Sequence, residues 1–580
     1  MNISTNGRIL FSGSIVLVVL VVTAVFWNGL SNGFVWDDAA QIVNNPWIKD
    51  IGYLGKMFSS DVFGHQQSVA TTNYYRPVAH VFYTATWHVF GSNAAAFHAL
   101  NLLLHIAVTV SIFALVFTLL NRWPTAGGEA GRKEQRGAES DAKRLLAASL
   151  AALVFGVHPG HAEAVSWISG IMELAFTLFG LLSFGLFLEV RRKERKIVSL
   201  SLSAILFLLA LFSKETAIVF LPLFLLYDLA RGDEKLLDRR VYAKYVPYLI
   251  AIALYLAMRN HALHRFVPVD MHPDLSTYEC VINVFPLLLQ HLLGLVWPFD
   301  LNVFHVFHPV RSILEPRALA GLFVACCLLA GLHWSWKKDR LVFFALMLIL
   351  VPLLPLFYIR AIAPILFAEQ HLYLPSFGLA LLLARITVWA LSRDTGIRYG
   401  VPLVLVLVIC VFSATTAERN PVWKDNLTLW SDAALKSPES AFVHESLAGA
   451  FLNRGRLDEA IEHYRLALRD DPTPSARTYN SLGIAYSRKG WKQEAVEAFS
   501  RALRIRPDYA RAHIGLGIAF FEQGSTDRAI EEFQSAIRID PYLVDAYHNL
   551  GVAYSAKGDL AAAEKAMREA SRLDPEYYQK

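Results

Sequence analysis

Long apolar runs recur through the first 420 residues of this chain and limit how it can fold more than any other feature. Each run has roughly the 20 residues that an α-helix needs to cross the hydrocarbon core of a bilayer. Inside that core every backbone N–H and C=O group must be paired within the protein, so each run is expected to be helical. Hydrophobic residues make up 55% of the 580 residues and charged residues only 18%. The sequence therefore predicts an all-α protein with a polytopic membrane domain.

We predict eleven spans, at 9–30, 94–120, 145–160, 167–189, 197–212, 216–230, 244–258, 318–335, 341–358, 372–391 and 401–416. The apolar segment 281–297 is not counted, because the Lys and Arg clusters of the predicted cytoplasmic loops fall on one side of the membrane only if this segment does not cross. Gln290 and His291 near its middle would also make crossing costly. We therefore expect 281–297 to form a helix that lies in the membrane interface.

This arrangement puts the N-terminus in the cytoplasm and places 31–93, 259–317 and the region after the last span together on the extracytoplasmic side. Residues 9–30 are too long for a signal peptide and lack its cleavage site, so we expect a retained helix. The net charge of +5 does not indicate a nucleic-acid partner, because the basic residues lie in short clusters between apolar runs.

The hydrophilic region after residue 420 has an internal period near 34 residues, with copies at 447–472, 482–507, 516–541 and 550–575. These copies resemble tetratricopeptide repeats. The shared positions are a small residue (Ala448, Gly483, Gly517, Gly551), an alanine (Ala460, Ala495, Ala529, Ala563) and a proline (Pro472, Pro507, Pro541, Pro575). Such repeats stack helical hairpins into an α-solenoid whose inner groove usually binds an extended peptide.

Two adjacent carboxylates, Asp37 and Asp38, follow the first span in the stretch FVWDD. A pair of acids in the first outside loop suits a lipid-linked sugar transferase, because the acceptor hydroxyl must lose a proton as it attacks the anomeric carbon. One carboxylate can act as that base, while the other orients the acceptor or binds a divalent cation that neutralises the leaving phosphate. The alternative is a structural role, in which the two acids cap the N-terminus of a helix.

Further ionisable residues are predicted at the same membrane face, where such groups are costly and tend to mark a site. They are Arg76 in YYRPV, His158, His161 and Glu163 in HPGHAEAV, Lys214 and Glu215 in SKE, and Glu369 and His371 in AEQHLYLPS. Each of them taken singly is also compatible with helix capping or a satisfied position in the core. The two histidines and Glu163 can also be metal ligands, although their spacing is not that of a metal site.

The motifs just quoted, together with RNPVWKDNLTLW and the repeats, resemble the transmembrane and tetratricopeptide repeat-containing (TMTC) proteins over nearly the whole chain. The resemblance implies a GT-C fold and transfer of a sugar, mannose in the eukaryotic members, from a polyprenyl phosphate donor to protein Ser or Thr. It also implies that the catalytic position is at Asp37 and Asp38.

This sequence departs from the TMTC pattern at two positions, where it has Met172 and Gln370 in place of arginine. Both changes remove a cation from the region in which the resemblance implies a donor phosphate. Phosphate needs only a few well-placed donors. We expect Arg76, Lys214 and His371 to supply them, with Arg360 as a further candidate.

The sequence thus predicts a GT-C-like membrane domain at 1–420, a linker or first helix at 421–440 and a repeat domain at 441–580. We expect a glycosyltransferase of the bacterial inner membrane, with periplasmic repeats that present a polypeptide acceptor. The main alternative is a non-enzymatic membrane scaffold, in which the repeats recruit envelope or secretion partners and the loop acids are structural. A transporter is disfavoured, because no span is broken by Gly or Pro at corresponding places in two halves.

Overall fold

The computed structural model describes residues 5–66, 73–123, 135–189, 196–232, 242–264, 272, 274–361, 366–471, 473 and 475–575. The chain forms two compact units, 1–425 and 426–580. All regular secondary structure in the described residues is helical, so the predicted all-α class is confirmed. Pro472 and most of the predicted basic loops at 191–196 and 231–243 lie outside the described residues.

The first unit is built from long helices joined by short 3-10 and π turns. Its α-helices are Thr5–Phe26, Leu54–Met57, Pro77–Phe90, Ala94–Arg122, Gln135–Gly156, Ala162–Ser166, Ile171–Glu189, Lys196–Ser213, Phe220–Arg231, Val246–Leu263, Thr277–Val296, Pro316–Lys338, Arg340–Leu353, Pro375–Leu391 and Ile397–Arg419. Close packing occurs where a glycine faces a neighbouring backbone. A Cβ on Gly378 would lie 2.6 Å from the carbonyl oxygen of Ala345, so the two helices that carry these residues touch at that point.

Eight helices in the described part of the chain are long and apolar enough to cross a membrane: Arg8–Ser31, Ala94–Arg122, Ile168–Glu189, Val246–Leu263, Thr277–Val296, Pro316–Lys338, Arg340–Phe357 and Ile397–Trp423. Two predicted spans, 197–212 and 372–391, correspond to the shorter apolar helices Ile197–Ser213 and Pro375–Leu391. The predicted span at 216–230 overlaps the 3-10 turn Glu215–Val219 and the 12-residue α-helix Phe220–Arg231. This α-helix is about 18 Å long against a hydrocarbon core of about 30 Å. The protein is a multi-pass membrane protein, and the number of spans stays a prediction.

The helix Thr277–Val296 contains the segment that the sequence assigns to the membrane interface. It begins with a capping box in which the side chains of Ser276 and Glu279 each accept a hydrogen bond from the other's backbone N–H. The helix has 20 residues and is apolar enough to cross the bilayer. Length and composition therefore allow either placement, and the interfacial one stays a prediction.

One predicted span is broken. The helix that ends at Gly156 is followed after two residues by a second helical segment, Pro159–Ser166, at an angle of 53°. Proline lacks the N–H that would continue the hydrogen-bond ladder, so it starts a new segment here. The break turns Glu163 and the following turn, Ile168–Gly170, away from the direction of the preceding helix.

The second unit consists of the helix Asn426–Lys436 followed by four helical hairpins. Their helices are Ala441–Asn453 and Leu457–Asp470, Ala476–Lys489 and Lys492–Ile505, Ala510–Glu522 and Thr526–Ile539, and Val544–Lys557 and Leu560–Leu573. The predicted solenoid of four repeats is confirmed. The phenyl ring of Phe499, which is 1% exposed, fills the space that a Cβ on Gly483 of its own repeat or on Gly515 of the next would need.

We expect Phe499→Ala to lower the free energy of unfolding of the repeat unit by about 3–5 kcal/mol, because it leaves a cavity between two hairpins. Protection of the repeats against protease, followed in the full-length protein as urea is raised, measures this change. The matched control is Leu560→Ala, which truncates a side chain that is 71% exposed and should change stability by less than about 0.5 kcal/mol. Equal protection of the two variants would contradict the packing of Phe499 between two hairpins.

Candidate functional site

A cavity of about 400 Å³ in the first unit collects most of the predicted site residues. Its walls include Asp37, Arg76, Glu163, Lys214, Glu215 and His371, together with the two departures from the TMTC pattern, Met172 and Gln370. These residues come from five separate segments of the chain. The structure therefore brings together side chains that the sequence could group only by their predicted side of the membrane.

The first loop is held against the end of the last long helix by Asn420. The fully buried Asn420 amide donates to the carbonyl oxygen of Val25 at 2.9 Å. Its side-chain oxygen accepts from Ser166 at 3.0 Å, and its backbone oxygen accepts from the Asn32 amide at 3.0 Å. The RNPVW motif thus clamps the exit of the first helix to the broken segment that carries Glu163.

Aromatic stacking continues this clamp. Trp36 stacks on Trp167 with ring centroids 5.1 Å apart, and Trp167 stacks on Trp423 at 5.9 Å. Trp36 has a left-handed backbone conformation, with φ = 52°. Such a conformation costs a bulky residue about 1–3 kcal/mol and persists only where its surroundings enforce it. The stacking of Trp36 on Trp167 holds this conformation next to Asp37 and Asp38.

The structure gives the two acids different environments, and Asp38 is the buried one. One Asp38 carboxylate oxygen accepts from the backbone N–H and the hydroxyl of Ser169, at 2.9 and 2.6 Å, and the other accepts from the N–H of Val35 at 3.0 Å. Burial raises the pKa of Asp38 to about 7, although these donors favour the ionised form. Asp38 does not cap the turn Ala39–Val43 that follows it, but its carboxylate accepts the Ser169 N–H in the first turn of Ile168–Gly170.

Asp37 is half-buried and its carboxylate lines the cavity. No hydrogen bond to this carboxylate is formed by the described residues. Burial raises the pKa of Asp37 to about 6, while the positive charge of Arg76 opposes the rise. Asp37 is thus accessible, uncommitted and more basic than an ordinary aspartate, which are the properties of a general base.

Two cations in the cavity wall already have carboxylate partners. Arg76 donates from Nε and Nη2 to the two carboxylate oxygens of Glu215, at 3.1 and 2.6 Å, while its Nη1 lies 3.2 Å from the sulfur of Met172. Lys214 is paired with Glu173. Both pairs are largely buried, and such pairs hold side chains in fixed positions because breaking them leaves an uncompensated charge.

The segment Glu369–Leu372 contributes to two cavities. The backbone N–H of Gln370 donates to Glu163 at 2.9 Å, which fixes Glu163 in the wall of the first cavity. Glu369 accepts from the backbone N–H of Asn302 and lines a separate cavity of about 480 Å³. Burial and the nearby Lys214 hold the pKa of His371 well below its usual value, so His371 is a neutral hydrogen-bonding group.

His158 and His161 do not line either of these two cavities. Both are fully buried. His158 is hydrogen-bonded to the backbone oxygen of Leu295 at 3.0 Å, and His161 to the hydroxyl of Ser376 at 2.9 Å. Their contacts are those of core residues that join helices.

The described residues contain no group of three or more His, Cys, Asp or Glu side chains that could hold a metal ion. The two Asp38 oxygens are occupied by hydrogen bonds from Ser169 and Val35. Asp38 is thus engaged on both oxygens, and Asp37 is the carboxylate of the pair that lines the cavity.

Comparison with known proteins finds models of the repeat region and relatives of most of the chain. Three tetratricopeptide repeat models match residues 439–508, 480–543 and 520–580. The protein O-mannosyl-transferase F38B6.6 of Caenorhabditis elegans is 25% identical over 476 residues, 79% of this chain and 63% of that protein. Human TMTC3 is 24% identical over 81% of this chain and 53% of its own length, and human TMTC1 is 27% identical over 81% and 56%.

This chain is a homologue of the TMTC proteins. It spans between about half and two thirds of the length of these curated relatives. Each of them is named a protein O-mannosyl-transferase. The TMTC resemblance expected from the motifs is confirmed, and so are the tetratricopeptide repeats.

Sequence reasoning about this TMTC homologue missed three residues around the cavity. Ser169 and Trp167 hold the first loop but are not titratable, so a search for ionisable groups passes over them. Arg259 lines the cavity but lies alone near the end of an apolar helix, outside every motif. The clamp has one signal in the sequence, the motif RNPVWKDNLTLW, to which the residues alone assign no role.

We expect Ser169→Ala to lower the free energy of unfolding of the protein by about 1–3 kcal/mol, because it removes a donor from a buried carboxylate. The midpoint of thermal unfolding in detergent measures the loss. The matched control is Ser59→Ala, which removes an exposed hydroxyl that donates to the Gly55 carbonyl oxygen. A midpoint for Ser169→Ala equal to that of this control would mean that Asp38 does not anchor the loop.

Proposed function

We propose that this protein is a membrane glycosyltransferase that transfers a mannose-like sugar from a polyprenyl phosphate donor to a protein hydroxyl. The homology to proteins named protein O-mannosyl-transferases supports the reaction class. The single observation that carries the proposal is the Asp37 carboxylate, which faces the cavity without a hydrogen bond from the described residues and has a pKa raised to about 6.

In this reaction the acceptor oxygen forms a bond to the anomeric carbon as the bond between that carbon and the donor phosphate oxygen breaks. The electron pair of the broken bond leaves on the phosphate. Asp37 accepts the proton of the acceptor hydroxyl, which makes the oxygen a stronger nucleophile as the new bond forms. Arg76 lies close enough to lower the pKa of Asp37, which is about 6, so the carboxylate is mostly ionised near neutral pH.

The remaining polar groups of the cavity wall have positioning roles in this proposal. Glu163 and the neutral His371 offer hydrogen bonds to sugar hydroxyl groups. Lys214 and Arg76 contribute to the phosphate end of the cavity through their N–H groups that are not engaged by carboxylates. Asp38 shapes the loop through Ser169 and makes no contact with substrate.

The repeats present the polypeptide acceptor, because stacked helical hairpins form a groove that suits an extended peptide. We place the cavity and the repeats on the extracytoplasmic side of a bacterial inner membrane, where the repeats face the periplasm. This placement rests on the distribution of basic residues between the apolar runs.

We expect Asp37→Asn to lower the turnover number by about 10²–10⁴-fold, the usual contribution of a positioned base, with little change in donor binding. The assay is transfer from radiolabelled polyprenyl-phosphate sugars to a threonine-containing peptide by the purified protein. The wild-type rate should rise with pH through about 6 and level off above it, because the base must be deprotonated. The rate of Asp37→Asn should not show this rise with pH.

The matched control is Asp50→Asn in the same loop. Asp50 accepts from the N–H of Gly52 at the start of a short helical turn, and asparagine caps a helix about as well as aspartate. Near-normal transfer by both variants would remove Asp37 from the mechanism. No transfer by the wild-type protein with any donor would favour the alternative, a non-enzymatic scaffold.

We expect deletion of the repeat unit, 426–580, to leave transfer to a small threonine-containing peptide within about threefold of wild type, while transfer to a full-length protein acceptor falls at least tenfold. The physical reason is that the repeats raise the local concentration of the acceptor chain without touching the reacting atoms. The two rates are measured in parallel on the same preparation. Loss of both activities in a correctly inserted variant would show that the repeats help to build the cavity.

A further inference from the structure

The charges of the cavity wall do not suit a phosphate as they stand. Its titratable side chains include three cations, Arg76, Lys214 and Arg259, and four carboxyl groups, Asp37, Glu163, Glu173 and Glu215. Burial raises the pKa of Glu163 to about 8, so the other three carry the negative charge at neutral pH. A phosphate binds most strongly to a positive charge that no carboxylate already neutralises. The phosphate end of the cavity therefore needs an uncommitted cation in addition to Arg76 and Lys214.

Arg259 meets this requirement, whereas Arg76 and Lys214 are committed to Glu215 and Glu173. The Arg259 guanidinium donates from Nη2 to the backbone oxygen of Asn73 at 3.2 Å. Within the described ranges it has no carboxylate partner. The bond to Asn73 leaves most of its five N–H donors available.

The helix that carries Arg259 places a second donor beside it. Tyr255 lies one turn earlier in Val246–Leu263, on the same face of the helix. Its hydroxyl is buried, finds no hydrogen-bond partner among the described residues, and lies within electrostatic reach of Arg259, Arg76 and Glu215. Tyr255 does not itself line the cavity, so the phosphate contact is assigned to Arg259 alone.

We propose that Arg259 binds the phosphate group of the polyprenyl donor. This inference rests on the proposed function and adds a residue to it. A guanidinium matches a phosphate with two parallel N–H···O bonds, and it does so best when no carboxylate competes for it. Asn73 also lines the cavity, and its backbone oxygen accepts the hydrogen bond that positions the guanidinium in the cavity wall.

The test measures binding of two lipids to the full-length protein in detergent, polyprenyl phosphate and the uncharged polyprenol of the same length. Arg259→Gln should weaken binding of the phosphate about 10- to 100-fold, the usual contribution of a hydrogen bond between charged groups. Binding of polyprenol should not change, because it does not use the guanidinium. Arg259→Lys should recover part of the preference for the phosphate, since it keeps the charge but not the two-pronged geometry.

The control is Arg393→Gln, an exposed arginine of the same unit that lies outside this cavity, which should bind both lipids as the wild type does. The assignment of Arg259 is overturned if Arg259→Gln keeps the wild-type preference for the phosphate, or if it loses affinity for both lipids equally. A wild-type protein that binds the phosphate no better than polyprenol would instead reject the proposed donor class, and the role of Arg259 with it.

Discussion

The hydrogen bonds that converge on the buried Asp38 carboxylate determine where the first loop lies. A carboxylate taken out of water is costly unless donors replace the lost hydration, and Ser169 and Val35 provide them. Asp38 is anchored inward, and Trp36 is held in a left-handed conformation. These two residues fix the backbone on either side of Asp37. Asp37 therefore faces the cavity, and the chemical difference between two identical neighbours follows from this anchor.

Buried partners also determine which charges of the cavity wall are available to a ligand. Arg76 and Lys214 are fixed by carboxylates that would be left uncompensated if either cation moved to a ligand. These pairs give the wall a rigid shape and contribute little net positive charge. A cavity of this kind binds an anion most strongly where a cation has no such partner, which distinguishes Arg259 from the two residues that the motifs suggested.

Much of the fold was predictable because it depends on local patterns. The apolar runs gave most of the long helices, and the 34-residue period gave four helical hairpins. The prediction of membrane spans was less accurate where an apolar run contains only a short α-helix. At 216–230 a 3-10 turn, Glu215–Val219, comes first and leaves a 12-residue helix. A sum of hydropathies over a window does not detect where the hydrogen-bond ladder begins.

The sequence by itself determined the all-α class, the repeats, the TMTC relationship and the set of polar residues near the site, since these depend on composition, periodicity and short motifs. Only the tertiary structure decided which members of that set are free to act. Ser169 lies 131 residues from the Asp38 that it anchors, and Glu215 lies 139 residues from the Arg76 that it neutralises. A residue's pKa and availability depend on such partners, and the partners are chosen by helix packing rather than by neighbours along the chain.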